Sequence, residues 1–253
     1  MVPFEHLVSP TPRQLSAILP VFSETATLVE LVRDLVRLAG PDLFEIRIVT
    51  SPNSPPETLA ACRQAQALFP NTNVSVQRRS PGVGFAYRQG IEDAAGDVLL
   101  LMDTDGEFDV DTVPLLLEKL RETNADLVVG ARFAKGGGVE GYPPVKYFLN
   151  RAYQLLFGVL YRTRIHDLTF GYKLGKAAAL KSLPLTAQFQ EIGCEVTLRA
   201  LKTGFRVEEV PTVWRSRKAG ASTNPLRRNL KYASLAWSIL RGKDAPKAMI
   251  AAG

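Results

Sequence analysis

Five carboxylates stand at every second position in the stretch LMDTDGEFDVD: Asp103, Asp105, Glu107, Asp109 and Asp111. Like charges held this close disfavour one another's ionised form, so the cluster calls for a compensating charge. Side chains of an extended strand alternate between two faces. If the backbone stays extended past Met102, then Asp103, Asp105 and Glu107 share one face. Hard divalent cations take oxygen ligands, and such ions are commonly held by one or two carboxylates together with substrate phosphates. Mg²⁺ or Mn²⁺ bound by Asp103, Asp105 and Glu107 and shared with a diphosphate answers the repulsion. Asp109 and Asp111 have a plainer use, because they precede a helical pattern, where acids complement the positive end of the helix.

The elements that must position these acids are legible by period. Residues 98–102 are a continuous apolar run, read as a central strand buried on both faces. Before it, short apolar or alternating runs at 16–21, 45–50 and 73–77 are separated by helical patterns at 24–40, 55–69 and 84–96. After it come a helical pattern at 111–123 and a fifth strand at 125–132. This alternation predicts an α/β fold with a doubly wound, mostly parallel sheet flanked by helices. Ligands of such sheets bind beyond the carboxyl ends of the strands, where the acid cluster lies. Past Arg132 a Gly/Pro-rich loop leads to a helix over 145–161, a strand and short helix within 165–180, a helix over 191–204 and a strand over 205–214.

Composition narrows the class. The chain has 253 residues, 46% of them hydrophobic, enough for one large domain. No apolar run reaches the roughly 18 residues of a spanning helix. The opening residues do not read as a secretory leader, and Cys62 and Cys194 form neither a metal motif nor a disulfide framework. The expected setting is the cytoplasm. His6 and His166 are the chain's two histidines, which argues against a His-rich metal site or a Ser-His hydrolase. Residues 213–247 hold nine Lys or Arg against Asp244, a formal +8 in a chain whose total is +6. That excess points to phosphate groups nearby. Within it, Leu226, Leu230, Ala233, Trp237 and Leu240 make one helical stripe beside Arg227, Arg228 and Lys231. The stripe either packs on protein or lies on an anionic membrane surface, which would make the chain peripheral to the membrane's cytoplasmic face. The division expected is a domain over 1–222 and a basic amphipathic segment over 223–253. A basic segment without an aromatic or recognition-helix context does not indicate nucleic acid. Gly82 and Gly84 lack the full dinucleotide fingerprint and follow the third strand rather than the first, so they are read as a turn that lets the chain approach a donor sugar.

The run GVGFAYRQGIEDAAGDVLLLMDTDGEFDVDTVPLLLEKL, followed by DLVVGARFAKGGGVEGYP and HDLTFGYKL, resembles the inverting glycosyltransferases of family 2, and within them the dolichyl- and polyprenyl-phosphate mannosyltransferases. The resemblance implies a GT-A nucleotide-sugar fold. It also implies transfer of a hexose, mannose or glucose, from a GDP- or UDP-sugar to a lipid phosphate. By the same resemblance Asp103 and Asp105 are the D-x-D acids, with Asp105 catalytic through the metal, and Glu107 stands where relatives usually carry Gln. Arg132, Arg151 and Arg217 fall where relatives bind the donor diphosphate or acceptor phosphate, and Asp167 falls near the acceptor. An Arg fork can hold two phosphate oxygens at once. Metal and Arg would balance the charge of a departing nucleoside diphosphate. A lipid phosphate is ionised already, whereas a hydroxyl acceptor would need a carboxylate base.

Two stretches depart from the family. PVFSE, with Pro20 and Glu24, replaces P-x-Y-N-E, and TSPNSPPET puts Ser51 and Pro52 where an acid pair usually meets base and ribose. Glu24, Asn53 and Ser54 are then the side chains left for the nucleotide. Two alternatives follow: the same donor chemistry onto a soluble or glycan hydroxyl, or a non-catalytic binding protein on the same fold.

Overall fold

The computed structural model describes residues 14–216 and 227–242. Its sheet is built from β1 (Leu15–Val21), β2 (Leu43–Thr50), β3 (Thr72–Val76), β4 (Val98–Leu101), β5 (Leu127–Ala131), β7 (Lys173–Lys176) and β8 (Val207–Pro211), in the order β3-β2-β1-β4-β7-β5-β8. All pairings are parallel except those of β7, which runs antiparallel between β4 and β5. A short parallel pair, β6 (Gly138–Glu140) with β9 (Val213–Arg215), stands apart. The chain builds outward from β1 to β3, then returns to start β4 on the other side of β1. That reversal opens a crevice beyond the strand ends.

Helices cover both faces. On one face α1 (Ala26–Ala39), α2 (Pro56–Leu68) and α4 (Thr112–Thr123) bury Leu28, Leu35, Cys62, Leu116 and Leu120 against the inward residues of β1, β2 and β4. On the other, α3 (Val83–Asp93), α6 (Ala177–Ser182) and α7 (Ile192–Lys202) bury Tyr87, Ile91, Leu180 and Val196 against Ile18, Leu99, Leu101, Leu127 and Val129. Each aliphatic side chain so buried contributes about 1.5–3 kcal/mol. The alternating sets explain why β1 and β4 are buried along their whole length, with Ser16 of β1 the one polar residue in the two strands. Helix ends follow the sequence signals. Gly40, at φ +52°, stops α1 in a conformation that disfavours other residues, and Pro56 opens α2 at its first position.

A third cluster lies outside the sheet. There α5 (Pro144–Leu160) packs Phe157 against Leu198 and Cys194 of α7 and against Ala236 and Ile239 of α8 (Arg227–Leu240). The Tyr161 hydroxyl donates to the Ala236 carbonyl at 2.7 Å. The buried face of α8 thus runs through Ala236 and Ile239, rotated from the stripe expected through Ala233, Trp237 and Leu240. Trp237 is exposed, with the Arg241 guanidinium 4.8 Å above its indole ring. Leu226 lies outside the described residues.

The acid stretch departs from the extended form assumed for it. β4 ends at Leu101, and the chain bends through 104–106, where Gly106 adopts φ +78°. Strand alternation is lost at that bend. Asp111 occupies the N-cap of α4 without a side-chain cap bond. Asp109 and Asp111 sit ahead of the first turn and face Arg215 at 3.4 Å and Arg37 at 3.8 Å.

Candidate active site

A cleft of about 1180 Å³ opens beyond the carboxyl ends of β1, β2 and β4, and α3, α5, the start of α7 and α8 wall it. Pro20, Glu24, Asn53, Gly82, Asp103, Asp105, Glu107 and Arg132 all line it, so strands far apart in sequence deliver these expected residues to one space.

The end of the cleft nearest β1 and β2 is lined by Phe22, Glu24, Ser51, Asn53 and Gln77. Glu24 folds back on its own loop, where Oε2 accepts from the Phe22 and Ser23 amides at 2.7 and 3.0 Å. The Ser51 hydroxyl accepts from the Asn53 amide at 3.2 Å. Ser54 is used differently from expectation. Its hydroxyl accepts from the Ser51 amide at 3.1 Å and does not face the cleft, because closing the β2–α2 loop occupies it.

The acids at the end of β4 have different partners. Asp103 accepts from the Tyr87 hydroxyl at 2.6 Å. Burial and the adjacent Asp103 charge hold that hydroxyl far above its ordinary range, so it remains a donor. Asp105 accepts from the Glu107 amide at 3.0 Å, a bond local to the bend. Glu107 Oε2 accepts from the Trp214 indole at 2.9 Å, and both residues line the cleft. The bend at Gly106 is the physical reason that the expected three-acid face does not form. Among the described residues no three His, Cys, Asp or Glu side chains gather as a cage. Asp103 and Asp105, two carboxylates open to one cleft, do fit a hard cation that completes its shell with substrate phosphate. Thr104 fastens the bend to the neighbouring strand by donating to the Pro20 carbonyl at 3.0 Å.

Arg132 and Asp167 form a single unit. Asp167 is fully buried and accepts from Arg132 Nε at 2.7 Å, Nη2 at 3.0 Å and the backbone amide at 3.1 Å. Thr169 and Phe170 amides and the Gln154 side chain add to its shell. Burial alone would push the Asp167 carboxyl up, but the Arg132 charge and hydrogen bonds outweigh it and leave it below the ordinary carboxylate value. Arg132 likewise remains a cation despite burial, with its guanidinium 4.5 Å over the Phe170 ring. Asp167 does not line the cleft itself, and its carboxylate is bonded to Arg132, which does. Beneath them Lys173, fully buried, donates to the Phe170 carbonyl at 2.5 Å, and burial pushes its ammonium down to about 8.

The glycine turn serves the protein's own backbone. A Cβ on Gly82 or Gly84 would come within 2.2 Å of the Gln188 carbonyl or 2.3 Å of the Ala187 carbonyl. Gly84 does not reach the cleft, and its requirement is close approach to residues 187–188 rather than to a sugar. Arg151 is also away from the cleft, with its guanidinium 5.2 Å over the Phe133 ring. Arg217 lies outside the described residues. Sequence reasoning missed Tyr87, Gln77, Trp214 and Tyr232. It also missed Lys146, Asn150 and Tyr153, whose spacing of four and three along α5 marks one cleft-facing polar stripe on an otherwise apolar helix.

A sequence profile for "Glycosyl transferase family 2" matches residues 16–183. The polyprenol monophosphomannose synthase of Mycolicibacterium smegmatis is 30% identical over 85% of this chain and 82% of its own length. The dolichol-phosphate mannosyltransferase of Pyrococcus furiosus is 27% identical over 83% of this chain, which spans 58% of that protein. The undecaprenyl-phosphate mannosyltransferase of Micrococcus luteus is 32% identical over 60% of this chain and 65% of its own. Among solved structures, the glucosyl-3-phosphoglycerate synthase of Mycobacterium tuberculosis with Mn²⁺, UDP and phosphoglyceric acid superposes with a TM-score of 0.65 at 17% identity, over 92% of this chain and 79% of its own. That likeness is one of fold.

Proposed function

The chain belongs to glycosyl transferase family 2, and on that premise we propose that it moves a hexose, mannose or glucose, from a GDP- or UDP-sugar to a polyprenyl or dolichyl phosphate. The observation that carries this reading is the convergence of Asp103 and Asp105, from the end of β4, and Arg132, from the end of β5, on one cleft at the sheet's switch point. Mg²⁺ or Mn²⁺ held by Asp103 and Asp105 would balance the charge that develops on the leaving diphosphate. Arg132 presents a fixed cation in a site where burial makes fixed charge effective, and Asp167 holds its fork in place. Asp167 is bonded to Arg132 and unsuited to take a proton from a hydroxyl acceptor. A phosphate acceptor, ionised at neutral pH, asks for no such base.

A second feature supports a lipid acceptor. No helix among the described residues is long and apolar enough to cross a membrane. Yet α5 exposes Val145, Phe148, Leu149, Leu155, Leu156 and Val159 along one face, while Lys146, Asn150 and Tyr153 of the same helix line the cleft. A continuous exposed apolar stripe marks an interaction surface. Resting on the bilayer, it would bring the cleft to the lipid phosphate, with α8 packed behind α5.

The test sets polyprenyl phosphate beside water-soluble hydroxyl acceptors, with GDP- and UDP-hexoses and Mn²⁺. Transfer to the lipid phosphate, abolished by Asp105→Ala, is expected. Transfer confined to hydroxyl acceptors, or donor binding without any transfer, would overturn the reading.

A further inference from the structure

The ring of Phe170 meets both poles of the cleft. The Arg132 guanidinium lies 4.5 Å from its centroid, and the Phe108 ring stacks on it with centroids 4.6 Å apart and planes 17° from parallel. Phe108 belongs to the acid stretch and directly follows Glu107. The next residue after Phe170, Gly171, lies against the same stretch: a Cβ there would stand 3.5 Å from Phe108 and 3.9 Å from the Asp103 carboxylate. One short segment ahead of β7 thus touches both the acids that follow β4 and the cation that follows β5.

Phe170 is itself held firmly. Its amide donates to Asp167 Oδ1 at 3.2 Å, its carbonyl accepts from the buried Lys173 ammonium at 2.5 Å, and its ring meets Tyr172 edge to face. It is 5% exposed and lines the cleft. The acid stretch is fastened separately to β9, where the Arg215 amide donates to the Glu107 carbonyl at 3.0 Å and Phe108 bridges to Trp214. A guanidinium is drawn to the face of an aromatic ring, and more strongly where water is excluded. Buried rings pack as closely as a crystal, so a neighbour that shifts takes them with it.

We infer that Phe170 is a positioning residue that ties the acid bend to Arg132, so that the Asp103–Asp105 end and the cation keep one relative placement. This rests on the proposed transfer reading. It adds a ring, bearing no charge and no ligand atom, that aligns the two charged ends. Leu at this position keeps apolar bulk but offers no face to either neighbour, whereas Tyr keeps the face.

The experiment uses the full chain with GDP- and UDP-hexoses, Mn²⁺ and a short-chain polyprenyl phosphate. It compares the unaltered enzyme with Phe170→Leu, Phe170→Tyr, Phe108→Leu and the double variant of Phe108→Leu with Phe170→Leu, each assayed below its unfolding temperature. In Phe170→Leu kcat should fall about tenfold, the size of one cation–π contact shielded from water, with donor and acceptor KM within about twofold. Phe170→Tyr should recover kcat. The double variant should lose no more than the worse single change, because residues acting as one unit are not additive. Mn²⁺ binding without sugar, read from the EPR signal of the free ion, should weaken about threefold in Phe170→Leu. A merely structural ring would lower the unfolding temperature and spare kcat and Mn²⁺ binding in the folded protein. Should Phe170→Leu not fold, Phe108→Leu carries the same expectations for kcat and Mn²⁺. Unchanged kcat, unchanged Mn²⁺ binding, a Tyr variant as slow as the Leu variant, or losses that multiply in the double variant would each overturn the inference and leave the transfer reading intact. No transfer to the phosphate by the unaltered enzyme would overturn that reading and this inference with it.

Discussion

Replacing Asp167 by Asn should damage stability and turnover together, through Arg132. The carboxylate has no exposure and takes a two-pronged bond from Nε and Nη2. Asn keeps the shape but offers one oxygen and one NH₂, so one prong of the fork meets another donor. The guanidinium, itself 7% exposed, is left as an uncompensated buried cation. Breaking one side of such a pair costs about 3–5 kcal/mol. For a chain of this size that is a fall of roughly 6–20 °C in Tm. Turnover should drop about 100-fold, because a charge displaced by an ångström loses its alignment with the reacting phosphate. Urea denaturation gives the first quantity and steady-state transfer the second. Arg132→Met combined with Asp167→Asn leaves no uncompensated buried cation and should recover much of the stability, but none of the activity. If Asp167→Asn alone keeps its unfolding midpoint and its kcat, the carboxylate does not hold Arg132, and the account of the pair is wrong.

Three further outcomes are expected. Gly90→Ala places a methyl 2.3 Å from Ile18 Cγ2; the overpacking, about 1–3 kcal/mol, outweighs the gain in helix propensity, and a raised urea midpoint would contradict the close α3–β1 contact. Tyr87→Phe removes the donor to Asp103; the Mn²⁺ concentration for half-maximal activity should rise about tenfold, and an unmoved metal titration would show the bond to be incidental. Lys173 binds its proton more weakly folded, near 8, than unfolded, near 10.5, so below pH 8 the full cost of the buried charge is present and stability rises between those values. Lys173→Met should flatten that rise in the urea midpoint between pH 8 and 10, and an unchanged slope would remove Lys173 as its source.

The first five strands and four helices were legible because period 2, period 3.6 and Gly or Pro punctuation agree there. Strand direction has no period, so β7 was visible as a strand but its antiparallel course was not. The three-acid face failed at Gly106, where one residue at positive φ cancels the alternation on which it depended. Spacing and resemblance put Asp103, Asp105 and Arg132 in one candidate site, and all three line one cleft. The Arg132–Asp167 bond spans 35 residues and has no local signature. Tyr87 falls inside the helical pattern over 84–96 with nothing local to mark it, and its hydroxyl reaches Asp103, 16 residues away. The polar stripe Lys146, Asn150 and Tyr153 was there to be read by the same helical arithmetic.

The inverted course of β7 acts as a gauge block. It enters the sheet from the cleft side, and Thr169, Phe170 and Gly171, just ahead of it, become the cleft floor. It also holds β4 and β5 two hydrogen-bonded spacings apart, roughly 9–10 Å. The anionic and cationic poles of the chemistry are therefore set at a distance dictated by main-chain bonding. Loop changes could retune which sugar or acceptor enters, but the reach between the poles would stay the same until the sheet itself was rebuilt.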